Sequence, residues 1–193
     1  PLSDAKSMVI APLLDEELDH DAVDLRLGCY FRLPAVSSID CIWPYPKAGA
    51  NGGVESYPEL LHKLYGRDGK ESALILQPHH SVLASTLEYI KMPGDVSGMI
   101  LTKSSWARVF ISIASAPWIH PFYRGCLTLE ITNLGNVPVA LPVGKPIAHI
   151  VFMHVESDEQ ISEDRIEGSY AGAVRPEPPK FKNKGSSAIP PAH

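Results

Sequence analysis

Hydrophobic residues recur along the chain in short alternating runs, a strand signature, and seldom at helical spacing. Val23-Asp24-Leu25-Arg26-Leu27-Gly28 alternates apolar and charged positions as a half-buried strand does. Ala73 to Gln77, Pro78-His79-His80 and Ser81 to Leu87 read as strand, turn, strand. Met99 to Thr102, Phe110 to Ser115, Leu127 to Thr132, Val137 to Leu141 and Ala148 to Val155 supply further short strands, with Asn133-Leu134-Gly135-Asn136 as a turn. A short helix is predicted around Tyr57 to Tyr65, and the acidic run Asp15 to Asp21 has the charge to cap or begin another. Eighteen prolines and fourteen glycines punctuate the chain too often for a helical bundle. The pattern predicts an all-β domain, a distorted β-barrel or jelly roll with one or two short helices, over residues 1–155. Pro34, Pro44, Pro46, Gly49, Gly52, Gly53 and Pro58 mark residues 34–58 as a surface excursion. From Glu156 the composition shifts to charge and then to Pro, Lys and Ser, so residues 156–193 read as a C-terminal tail leaving the barrel.

The chain has 193 residues, is 45% hydrophobic and carries a formal net charge of −5, enough apolar content for one core. The total excludes a surface that coats nucleic acid, but it hides local concentrations. Residues 1–24 and 156–167 hold balances of −6 and −5, leaving +6 for the rest, which suits a small cationic pocket. No apolar run approaches the roughly 18 residues that cross a bilayer. Nor does the start show a basic-then-apolar order, so a cytoplasmic protein without nucleic-acid or membrane partners is the expectation. Cys29, Cys41 and Cys126 are odd in number and show no CxxC, which reads as free thiols.

Candidate chemistry concentrates between Thr102 and Gly144. Lys103, Ser104, Ser105 and Arg108 place two cations and two hydroxyls within six residues, a composition that cradles phosphate oxygens. In Leu127-Thr128-Leu129-Glu130-Ile131-Thr132 the apolar residues share one face and Thr128, Glu130 and Thr132 the other. Alone, these features read as a solvated turn and a solvent-facing carboxylate. His154-Val155-Glu156 has the H-x-E spacing of zinc deaminases, but no P-C-x-x-C follows, so no zinc site is expected. His79-His80 lies in a turn, and His149 and His154 point to opposite faces of a strand. Trp106 and Trp118 read as core or subunit-interface aromatics.

The order Thr102-Lys103-Ser104-Ser105-Trp106-Ala107-Arg108, Ile119-His120-Pro121-Phe122-Tyr123-Arg124-Gly125, the Glu130 strand and Pro142-Val143-Gly144 resembles the dCTP deaminase and trimeric dUTPase superfamily. Asp21 to Gly28 matches its N-terminal segment, and Pro78 to Asp95 is similar to its hairpin before the Ser pair. The resemblance implies a dUTPase-like barrel, a homotrimer with sites between subunits, and deamination of dCTP to dUTP and ammonia without zinc. It implies that Glu130 acts as general acid/base on a water attacking cytosine C4, in a closed, partly dry pocket. Ser104, Arg108 and the backbone of Ala116 would fix the water, and Lys103, Ser105 and Arg108 would contact the phosphates. His120, Tyr123 and Thr128 would line the sugar and base, with Tyr123 packing on deoxyribose. Tyr170, Lys180 and Lys184 would lie in a tail that closes over the nucleotide. Magnesium would travel with the triphosphate, which is dCTP or alternatively dUTP or dTTP.

His120 stands where the family has an Asp that recognises the sugar 3'-hydroxyl, and neutral imidazole is a poorer orienter of water. Lys103 stands where many members have Arg, and the segment before His120 is one residue short. The Gly-rich final motif of trimeric dUTPases is reduced to Gly185-Ser186-Ser187, which favours deamination over pyrophosphate release. The alternatives are a bifunctional enzyme or dUTPase yielding dUMP, and a non-catalytic nucleotide-binding relative.

Overall fold

The computed structural model describes residues 7–15, 18, 21–34, 59–63, 72–113, 116–156 and 172–180. Eleven strands and one short helix follow in order: β1 (Val9–Ala11), β2 (Val23–Pro34), β3 (Glu59–Lys63), β4 (Ala73–Leu76), β5 (Ser81–Lys91), β6 (Val96–Thr102), α1 (Ser104–Arg108), β7 (Ile111–Ile113), β8 (Trp118–Ile119), β9 (Arg124–Asn133), β10 (Val139–Pro142) and β11 (Pro146–His154). Nine strands form one curled antiparallel sheet, ordered β7-β9-β5-β2-β11-β6-β8 with β1 on β5 and β3 on β2; β10 and β4 make a separate pair. The all-β, barrel-like architecture expected from the pattern is what forms, with the sheet curled into a half-barrel.

Register explains how the sheet divides into faces. Phe31 of β2 lies opposite Ala84 of β5, which lies opposite Leu129 of β9, and all three are fully buried. One residue along, Arg32 lies opposite Leu83 and Leu83 opposite Glu130. Residues opposite one another project to the same side, so this second row lies on the other face. The core gathers Leu25, Leu27, Phe31, Ile90, Leu127, Leu129, Ile131 and Ile150.

Two irregularities bend the middle of the sheet. The β2–β5 pairing shifts between Leu27 and Phe31, and the β5–β9 pairing between Ser85 and Tyr89. Gly28 sits in the first, where a Cβ would come within 2.7 Å of the Ser85 carbonyl oxygen. In the second, Glu88 is fully buried and accepts from the Arg26 backbone N–H at 3.0 Å and Arg26 Nε at 2.7 Å.

Two expectations change, and a third falls largely outside the described residues. The segment given as a helix over 57–65 contains β3 at 59–63, paired with Tyr30–Pro34 of β2; the unpaired edge of β2 supplies hydrogen bonds that outweigh local helical preference. Of the acidic opening only Asp15, Leu18 and Asp21 are described: Leu18 N–H donates to the Asp15 carbonyl at 3.3 Å and Leu18 bridges Val23, while the rest of the run lies outside the described residues. Strands β4 and β5 exist as expected but do not form a hairpin, because β4 pairs with β10 while β5 pairs with β1, β2 and β9. The excursion falls, apart from Pro34, outside the described residues, as does Cys41; Cys29 and Cys126 are free thiols.

Candidate active site

Glu130 is set by the alternation of β9. Leu127, Leu129 and Ile131 are 1%, 0% and 0% exposed, which turns Thr128, Glu130 and Thr132 to the other side. Strand β7 pairs with the upper part of β9, from Ile113 opposite Ile131 to Ile111 opposite Asn133. Three residues past Ile113, where β7 ends, Ala116 N–H donates to Glu130 Oε2 at 3.3 Å. Glu130 is half-buried at this seam, an accessible carboxylate with one oxygen oriented by the backbone.

The Lys103-to-Arg108 segment, read from sequence as a turn, forms α1 with Lys103 as its N-cap. Trp106 holds the helix in place: its indole N–H donates to the Pro146 carbonyl at 3.0 Å and its ring packs against the core. Thr102 Oγ1 accepts from Ile113 N–H at 2.9 Å, joining the end of β6 to β7. Ser104, Ser105 and Arg108 therefore stand exposed on a helix leading into the strand beside Glu130. Lys103 bends the other way and binds both carboxylate oxygens of Asp24 on β2. Asp24 is a participant that the sequence reading did not single out.

The second segment turns after β8. His120 is exposed, and its carbonyl accepts from Tyr123 N–H at 3.3 Å. Phe122 has φ +61° and packs its ring over Gly94, where a Cβ would come within 2.4 Å of Phe122 Cζ. Tyr123 donates its hydroxyl to the Cys126 carbonyl at 2.8 Å, and burial holds the phenol well above its ordinary pKa. A neutral, fixed phenol edge is what this position offers.

The tail does not simply leave. Gly172 N–H donates to the Arg124 carbonyl at 2.6 Å, Cys126 N–H donates to the Ala173 carbonyl at 2.7 Å, and Gly125 and Ala173 form a parallel bridge. Thus the lower edge of β9, beyond the reach of β7, is covered by residues 172–173. Further on, Glu177 N–H donates to Thr128 Oγ1 at 3.2 Å and Lys180 pairs with Glu177 at 2.6 Å. Thr128, Glu130 and Ala116 are thereby brought into one neighbourhood with Glu177 and Lys180. Tyr170 and Lys184 lie outside the described residues.

Among the described residues no group of three or more His, Cys, Asp or Glu side chains gathers as a metal site would require. His154 faces Asp95 at 3.7 Å, and both are exposed. No helix among the described residues is long and apolar enough to cross a membrane.

A family model described as dCTP deaminase-like matches residues 2–155. The chain is similar to the dUMP-forming dCTP deaminase of Nanoarchaeum equitans, 34% identical over 163 residues and covering 82% of each chain. It is 32% identical over 181 residues to the protein of that name in Methanothermobacter thermautotrophicus, covering 91% of this chain and 87% of the relative. A dCTP deaminase of Natronomonas pharaonis is 33% identical over 178 residues, covering 90% of this chain and 87% of the relative. The solved structure of 2'-deoxycytidine 5'-triphosphate deaminase from Agrobacterium tumefaciens superposes with a TM-score of 0.55 at 22% identity over 75% of this chain. The chain spans 43% of that protein's length, and the likeness is one of fold. With its sheet curled as expected of a dUTPase-like barrel, and with the family model spanning the segments that carry Lys103, Ala116 and Glu130, the chain belongs to the dCTP deaminase-like family.

Proposed function

We propose that this chain converts dCTP to dUMP, ammonia and pyrophosphate, in two hydrolytic steps at one site. The observation that carries the chemistry is Glu130, outward on β9 and oriented by the Ala116 N–H. The relatives named dUMP-forming, at 34% and 32% identity, favour this product over the dUTP that the reduced Gly-rich motif points to.

In the first step Glu130 takes a proton from water as its oxygen bonds to cytosine C4. The carboxylic acid then returns the proton to the ring nitrogen. Glu130 then moves the proton of the new C4 hydroxyl to the exocyclic nitrogen, and the C4–N bond breaks as the C4 carbonyl forms, giving dUTP and ammonia. In the second step water adds at the α-phosphorus, the bond to the bridging oxygen breaks, and dUMP and pyrophosphate separate. Magnesium enters on the triphosphate as part of the substrate, and no zinc is used. Ser104, Ser105 and Arg108 present hydroxyl and guanidinium donors for phosphate oxygens, and Lys103 supplies a further cation once it exchanges Asp24 for phosphate. Tyr123 packs on the sugar, and His120 takes over the contact to its 3'-hydroxyl.

A trimer completes this site in the proposal. Ser104, Ser105 and Arg108 project outward from the barrel, and beside them Val109 and Phe110 are 46% and 65% exposed. Apolar surface of that kind is suited to a subunit contact. Light scattering coupled to size exclusion tests the assembly.

Incubation with dCTP, CTP, dCMP and dUTP plus magnesium, with ammonia, pyrophosphate and nucleotide products quantified, tests the reaction. One ammonia and one pyrophosphate per dCTP are expected, and a loss of at least about a hundredfold in kcat for Glu130→Gln, which keeps shape but cannot shuttle the proton. Ammonia without pyrophosphate would return the product to dUTP, and unchanged turnover in Glu130→Gln would remove the carboxylate from the mechanism.

A further inference from the structure

The outward face of the central sheet carries more than Glu130. Arg32, Leu83 and Glu130 form one row across β2, β5 and β9, so Arg32 lies two strand spacings, about 10 Å, from the carboxylate's backbone. Tyr30 shares the face of Arg32, two residues earlier on β2. Residues 172–177 run from the lower edge of β9 onto this face. Their contacts come in order: Ala173 on Cys126, the Arg175 guanidinium 4.9 Å from the centre of the Tyr30 ring, Arg32 Nε donating to the Pro176 carbonyl at 2.6 Å, and Glu177 N–H donating to Thr128 Oγ1. Ala173 and Pro176 are buried, whereas Val174 and Arg175 between them are exposed. A segment anchored at Ala173, Arg175, Pro176 and Glu177, with side chains from two strands holding it, is a strap.

We infer that Tyr30 and Arg32 are positioning residues that hold residues 172–177 over the face bearing Glu130, so that Pro176 and Glu177 form a wall of the nucleotide pocket. Neither touches the reacting atoms. Arg32 fixes the Pro176 carbonyl, Tyr30 holds Arg175 through cation–π attraction, and the next backbone N–H is thereby delivered to Thr128, two residues from Glu130 on the same face. The wall acts on binding equally in ground and transition states, so its loss raises KM more than it lowers kcat. The inference rests on the proposed nucleotide reaction for its kinetic arm and on geometry alone for its structural arm.

The test compares Arg32→Met, which keeps the apolar stem and removes the donor, with Arg32→Lys, which restores one. Amide hydrogen exchange of residues 172–180 and dCTP kinetics are measured on the full chain. Arg32→Met is expected to speed exchange in this segment at least tenfold and to raise KM about tenfold with kcat within threefold, and Arg32→Lys to recover most of both. Thr128→Val, which removes the acceptor at the far end of the strap, is expected to speed exchange at residue 177 in the same way and serves if Arg32→Met does not fold. Unchanged exchange in Arg32→Met and Thr128→Val would overturn the strap. Faster exchange with KM unchanged would overturn the pocket wall. Absence of dCTP turnover in the parent protein would instead overturn the nucleotide reading and with it the wall, leaving exchange to decide the clamp.

Discussion

Removing the Glu88 carboxylate creates a larger defect than any surface substitution. Glu88 is 0% exposed and Arg26 14%, so Glu88→Ala leaves a guanidinium in a largely dry position and orphans the Arg26 backbone N–H. Breaking one side of a buried pair costs about 3–5 kcal/mol. For a chain of this size, each kcal/mol moves the melting temperature by about 2–4 °C, so a fall of roughly 6–20 °C is expected. Glu88→Gln keeps one acceptor for two donors and should lose about 1–3 kcal/mol. The double variant Arg26→Met, Glu88→Leu removes both charges and should recover all but the orphaned N–H, about 1–3 kcal/mol.

The pH dependence has a definite sign. Burial raises the Glu88 carboxyl above its ordinary 4.5, and its hydrogen bonds to Arg26 only partly oppose this. The folded state therefore binds the proton more tightly than the unfolded state. The associated stability is fully present below 4.5 and is lost as pH rises through the shifted value. Subtracting the Glu88→Gln stability cancels the other carboxylates, so the gap between parent and variant should be widest in acid and narrow as pH rises. Urea unfolding of the parent, two single variants and the double variant across pH measures all of this. A Glu88→Ala loss below about 1 kcal/mol, a double variant no better than the singles, or a gap that widens with pH would refute the buried-pair account.

Asn133 is fully buried, donates to the Leu76 and Val137 carbonyls and accepts from Gly135 N–H; Asn133→Ala should cost at least about 2 kcal/mol in urea unfolding, since several buried groups lose partners together. Gly125 has φ +143° and lies where a Cβ would meet the Ala173 carbonyl oxygen at 2.8 Å; Gly125→Ala should release residues 172–173 from β9, seen as faster amide exchange there. Lys103→Met should raise KM for dCTP at least fivefold while changing stability by less than about 1 kcal/mol, because the Asp24 pair is partly exposed; an unchanged KM would remove Lys103 from phosphate binding.

What the sequence could and could not show follows from which interactions leave a mark on residue type. The alternation in β9 was legible because burial on one face demands apolar residues at every second position, and this alone turned Glu130 outward. The same parity runs through β5, where Val82, Ala84, Thr86, Glu88 and Ile90 are all buried. Glu88 thus occupies an inward position, although the run read as a strand from the sequence stops one residue short of it, at Leu87, which is 37% exposed. Its partner Arg26 alternates outward on β2 and meets Glu88 only where the pairing shifts, a register event no local pattern reports. The β3 segment misled in the opposite sense, since Glu59-Leu60-Leu61-His62-Lys63 suits a helix locally and is a strand because β2 offers it an edge. For the strap, the docking atoms are largely backbone: the Ala173 and Pro176 carbonyls and the Gly172 and Glu177 N–H groups. Backbone partners leave no compositional trace, so a Pro- and Lys-rich segment reads as a departing tail. The row Arg32–Leu83–Glu130 joins residues 98 positions apart through two pairings, and the conjunction of cation, strap and carboxylate exists only once both registers are fixed.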